Sequence, residues 1–161
     1  MNSSDASRSF LRHTLATLAY RGGKAIRDAP ADFGERSAGS ETRTALQIVG
    51  HLGDLFDWAL SMARGAQAYH VGECSSWEEA TTRFFASLEA FDAYLASDSP
   101  LEAPAERLFQ GPVADALTHV GQLTLLRRMA GAPIRGENYY VAQIEAGRVG
   151  ANQPAPKREF D

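Results

Sequence analysis

The stretch Ala114–Gly131, ADALTHVGQLTLLRRMAG, decides the fold. Its helix-forming residues predict an amphipathic helix that Gly131 and then Pro133 stop. Asp115, His119 and Gln122 stand at spacings of four and three, which puts them on one helix face. At about 100° per residue the three fall within about 60° of one another. Leu126 and Met129 continue that direction, with Leu123 and Ala130 beside it. Arg127 and Arg128 point roughly the opposite way and are expected to seek water. The polar trio thus extends an apolar stripe and is expected to face inward. Val113, Leu117 and Val120 lie on the arginine side. Either the first half of the helix is buried nearly all round, or that patch meets a second subunit as a homodimer contact.

Three further helices are predicted upstream. The first runs from about Ser7 to about Ile26, with Phe10, Leu11, Thr14, Leu15 and Leu18 as its apolar stripe and Gly22-Gly23 placed to fray or bend its end. The second opens at Ser40 as N-cap, with Glu41 in the first turn, and runs to about Arg64 before Gly65. Its apolar positions include Ile48, Val49, Leu52, Leu55 and Phe56, and His51 borders them. The third starts at Ser76, with Glu79 completing a capping-box pattern, and ends near Ala96. A short turn, AERLFQ, leads into the last helix, where Pro112 suits a first helical position. Beyond residue 135 there is no clear period, and the final PAPKREFD is expected to be a mobile tail. Four amphipathic helices with no strand pattern read as an all-α helix bundle.

The 161 residues suit one domain with one core, about residues 5–135, and a C-terminal extension over 136–161. A formal charge of −4 without a basic stripe speaks against nucleic-acid or membrane-surface partners. The single Cys74 has no internal disulfide partner, and no run approaches the roughly 20 apolar residues of a membrane span. With no apolar core in MNSSDASRSF, the expectation is a soluble cytoplasmic protein.

A buried Asp and His are costly without partners, and a divalent ion satisfies both. Carboxylate and imidazole at i, i+4 can close on one ion, and His51 supplies a third ligand from a facing helix. Two His and one carboxylate leave coordination positions open, a set that suits Zn, Fe, Ni or Mn. Gln122, about one turn on, is placed to hydrogen-bond a ligand. The alternatives are a core His51 bonded to a backbone carbonyl, and an Asp115 that pairs with a nearby Arg or is an exposed first-turn acid.

The IVGHLGDLFDWAL stretch around His51, the DALTHVGQLTLLRRMAGAP stretch around His119 and the helix opening SWEEATTRFFASL together resemble the DinB/YfiT-like metal-binding superfamily, over roughly residues 5–135. The resemblance implies an up-and-down four-helix bundle with an irregular crossover, a metal centre at one end and often a homodimer. It implies metal ligands at His51, Asp115 and His119, although the family usually carries His where Asp115 stands. Members include transferases and isomerases that use low-molecular-weight thiols. The function expected on this basis is a divalent-metal protein acting as a thiol transferase or, next, a hydrolase. The alternative is a non-catalytic homodimeric binding or stress protein whose metal site has lapsed.

Other residues receive plainer readings. His13 and His70 are expected at the surface, and Cys74 lacks an evident base. Trp58, Tyr139 and Tyr140 are expected to pack, the tyrosines with the option of lidding an open bundle end. The pair Asp54/Asp57 is expected on a solvated helix flank, with Asp54, one turn from His51, having the option of supporting it.

Overall fold

The computed structural model describes residues 3–160, with side chains from residue 5, so Met1, Asn2 and Asp161 lie outside the description. Four long helices form the bundle: α1 (Ser3–Ile26), α2 (Ala45–Ala63), α3 (Trp77–Ala96) and α5 (Ala114–Met129), with a short α4 (Ala105–Leu108) before the last. The architecture is an all-α four-helix bundle. Helices α1 and α2 each pack against both α3 and α5. The connections from α1 to α2 and from α3 to α5 therefore run between diagonally placed helices, and this brings α2 alongside α5. No helix of the described chain is long and apolar enough to cross a membrane.

The core follows the apolar spacing. Leu11, Leu15 and Leu18 from α1 meet Val49, Leu52 and Phe56 from α2, Phe84, Leu88 and Phe91 from α3, and Leu123 from α5, all essentially inaccessible to solvent. Each such side chain contributes about 1.5–3 kcal/mol by leaving water. Phe84 is central: its ring packs on Phe85 and Phe56 at centroid distances of 4.9 and 6.2 Å. The ring also explains Gly22, where a Cβ would come within 3.3 Å of it. The glycine pair neither frays nor breaks α1, which continues to Ile26. Phe10, expected on the inner stripe, is 62% exposed and tilts against Phe109 instead, because Leu11 already occupies the inward position about 100° round the helix.

Helix boundaries differ from expectation where capping chemistry competes. Ser40 does not open α2. Thr44 does: its hydroxyl accepts the Gln47 N–H, and the Gln47 side chain accepts the Thr44 N–H, a complete capping box. Ser40 and Glu41 lie in the preceding turn. Thr44→Ala is expected to lower stability by about 1 kcal/mol, whereas Ser40→Ala should leave a urea melt unchanged. Equal effects of the two would contradict this assignment. Ser76 does cap α3, its hydroxyl accepting the Glu79 N–H, but the expected capping box is not closed: the Glu79 carboxylate accepts from the N–H and hydroxyl of Ser75.

Pro112 does not begin the last helix. It lies inside a π turn, Phe109–Val113, that joins α4 to α5 without a break. Proline has no N–H to donate and its ring would clash with a carbonyl one α turn back. The wider π turn accommodates that ring by adding a residue.

On α5 the buried residues are Ala116, His119, Val120, Leu123, Leu126 and Arg127. Their mean direction lies roughly 90° round the helix from Asp115. The polar trio therefore straddles the edge of the inward face: His119 is buried, while Asp115 and Gln122 are exposed. Met129 is 57% exposed, and Val113 and Val120 are buried within the chain. Leu117, the third member of that patch, is half-buried, and Asp115 and Thr118 are exposed, so the bundle covers the first half of the helix on one side only. Arg127 is buried rather than solvated. Its guanidinium donates to the carbonyls of Ala25 and Arg27, at the end of α1, and of Ala132.

The C-terminal segment is docked, contrary to the expected mobile tail. Residues Gly136–Glu137 (β1) and Glu159–Phe160 (β2) pair antiparallel. Glu137, 5% exposed, accepts the Tyr20 hydroxyl at 2.7 Å and the Lys24 ammonium at 2.8 Å, and Lys24 also reaches Glu159 at 2.7 Å. Burial pulls the Lys24 pKa down, but the two carboxylates outweigh it and the net shift is upward. A buried carboxylate so thoroughly partnered is tolerable in a bundle flank.

Candidate metal centre

The proximity of α2 to α5 brings His51, Asp115 and His119 together. One donor atom from each lies within 4.8 Å of the others. Both imidazoles present Nε2 to the same carboxylate: His51 Nε2 stands 3.5 Å from Asp115 Oδ2, and His119 Nε2 stands 3.5 Å from Asp115 Oδ1. The rings are perpendicular, with centroids 4.8 Å apart. Ligands at about 2.1 Å from a tetrahedral ion are separated by about 3.4 Å; the two imidazole–carboxylate spacings match this, and the full set, spread over as much as 4.8 Å, would close in to hold a divalent ion. The imidazoles are sheltered, at 12% and 9% side-chain exposure, while the Asp115 side chain is 47% exposed. The centre is thus roofed by nitrogen donors and open on the carboxylate side.

The remaining ring nitrogens are engaged elsewhere. His119 Nδ1 lies 2.8 Å from Gln122 Oε1. An Nδ1–H donated to that oxygen leaves Nε2 with its lone pair directed at the centre. His51 Nδ1 lies 3.2 Å from the Tyr69 hydroxyl, which accepts in the same tautomer. Metal-binding histidines typically hold their second N–H in this way, fixing ring orientation. Burial, reinforced by Arg43 and His119 and opposed by Asp115, holds the His51 pKa below the ordinary imidazole range. The ring is therefore neutral, the form that ligates, at neutral pH.

The surroundings hold these groups in place. Asp54, expected on a solvated flank with the option of supporting His51, is buried and turned away to the loop after α2. It accepts the Gly72 N–H at 2.9 Å and pairs with Arg83 at 2.7 Å. A Cβ at Gly72 would fall on the Arg83 guanidinium, so a larger residue there would push Arg83 off its carboxylate partners. That anchoring, with the mutual Ser61 and Ala68 hydrogen bonds, brings Tyr69 over His51. Trp58 packs edge-on against Tyr69 at 5.8 Å, the packing role expected of it. Tyr69 and Arg43 were not legible as site residues. Tyr69 sits in a connector with no periodicity, and Arg43 precedes the Thr44 cap. His13 and His70 are exposed as expected. Tyr140 is 96% exposed and Tyr139 packs against Tyr20 and Arg21, so neither lids the centre.

Two cavities flank the group. One of about 620 Å³ is lined by Arg43, Gln47, His51, Tyr69 and Cys74 among others. The second, about 420 Å³, is lined by Arg43, His119, Gln122 and Leu126 among others. Comparison with known protein families, curated proteins and solved structures finds no match to this chain. Its own fold and site therefore define its class: a four-helix bundle carrying a His-Asp-His group that could hold a metal ion.

Proposed function

We propose that this chain is a divalent-metal protein of the DinB/YfiT-like kind, using His51, Asp115 and His119 as ligands and acting on a small molecule through thiol transfer or, next, hydrolysis. The observation that carries the reading is the shared orientation of two imidazoles, each with Nε2 facing one carboxylate and Nδ1 held by a separate partner. A bound divalent ion supplies a Lewis acid that lowers the pKa of a thiol or water. The protein's own part is to hold three donors on two rigid helices, to fix the His119 tautomer through Gln122 and the His51 ring orientation through Tyr69, and to leave the Asp115 side open. Both the donor set and the open side suit first-row ions such as Zn, Ni, Fe or Mn.

Metal analysis of untagged protein purified without chelator tests this. The expected result is close to one ion per chain, with affinity reduced by roughly 10–100-fold or more in Asp115→Ala. A parent without stoichiometric metal, together with an Asp115→His variant whose affinity rises steeply from near zero, would favour a lapsed centre in a non-catalytic bundle.

A further inference from the structure

We infer that Arg43 receives an oxyanion group, a carboxylate or a phosphate, on the small molecule that binds at the His51, Asp115 and His119 centre. The inference rests on the metal reading above and adds the class of ligand to it. Arg43 Nη1 stands 3.5 Å from His119 Nε2, the same nitrogen that faces Asp115. Arg43 also lines both flanking cavities, so it stands between them beside the His119 ring.

The charge arrangement is incomplete as it stands. Among the described residues Arg43 forms no ion pair with a carboxylate, and its one hydrogen-bond contact is the His119 ring. The other acids lining the larger cavity are Glu41 and Asp54. Asp54 is engaged by Arg83 and the Gly72 N–H, and no ion pair joins Glu41 to Arg43. A guanidinium beside a centre built to hold a dication is electrostatically unfavourable on its own. One carboxylate, Asp115, cannot balance both. A ligand that brings negative charge between them removes the conflict, and the planar guanidinium fork matches carboxylate and phosphate oxygens. A neutral ligand would leave the repulsion in place, and a cationic one would add to it.

Cobalt(II) serves as the metal probe, with thiols that share one donor and differ at the other end. Binding is followed by the absorption of the cobalt–thiolate pair. The parent is expected to bind 3-mercaptopropionate about 10-fold more tightly than 2-mercaptoethanol, with cysteamine weakest, since a charge-assisted hydrogen bond is worth about one decade. Arg43→Gln should erase that order and hold cobalt at least as tightly as the parent, since a charge that repels the ion is gone, and Arg43→Lys should restore part of the order. Acetate and inorganic phosphate, added as competitors, tell which oxyanion fits better. Equal affinities for the three thiols in the parent, or an unchanged order in Arg43→Gln, would overturn the inference while leaving the metal reading standing. A parent that takes up no cobalt removes both.

Discussion

Alanine at position 119 or 51 is expected to reduce zinc affinity by roughly 100-fold or more, about 3 kcal/mol. Each substitution removes one of the three donors gathered within 4.8 Å. The readout is thermal unfolding with and without metal. At a zinc concentration about 100 times the dissociation constant, the parent gains about 2.7 kcal/mol, which for a chain of this size corresponds to roughly 5–10 °C. That gain should vanish in His51→Ala and His119→Ala. Gln122→Ala removes only the acceptor that orients His119 and should weaken binding by about 10-fold, so a reduced shift remains. Zinc-induced shifts of the same size in the parent and both histidine variants would show that the ion binds elsewhere.

The second large effect lies far from the centre. Arg127→Ala is expected to cost about 2–4 kcal/mol in urea unfolding, because the buried carbonyl of Ala25 and the partly buried ones of Arg27 and Ala132 lose their donor, and a buried acceptor left alone costs about 1–3 kcal/mol. The guanidinium also lies 5.7 Å from the centroid of the fully buried Phe33 ring, which adds to the loss. Arg127→Lys should recover only part, since a single ammonium does not reproduce a fork directed at separate acceptors. Arg128→Ala, at an exposed position one residue on, is the control and should change stability by less than about 0.5 kcal/mol. Comparable losses in the two alanine variants would refute the carbonyl-capping role.

Arg127 also shows where sequence reading ended. The apolar period along each helix was sufficient for the bundle and its core, since Leu15, Leu52, Phe56 and Leu88 are buried where spacing puts them. Spacing alone also brought Asp115 and His119 onto adjoining turns and put His51 beside the apolar face of another helix; that this helix packs against α5 is seen only in the fold. It could not tell which sector of α5 faces inward. That sector is set by the polar demand of the α1 carbonyls for Arg127 and by the π turn upstream, neither of which leaves a periodic mark. Ser40 and Thr44 are equally good caps by residue type; the choice between them is made by Gln47, whose amide completes the box at Thr44. Tyr69 reaches His51 only through tertiary anchoring of its loop by Asp54 and Arg83, and Glu159 reaches Lys24 across 135 residues of chain. Contacts of that kind are invisible to local pattern.

The π turn at Phe109–Val113 makes the centre depend on a tally of residues as much as on their identity. One surplus residue in that turn offsets everything downstream by about 100° relative to an unbroken α-helix. Deleting Pro112 would remove both the surplus residue and the ring that requires it, letting α4 run straight into α5, yet it would swing the Asp115 carboxylate and the His119 ring away from His51. The donors would all be present in the chain and would no longer share a focus.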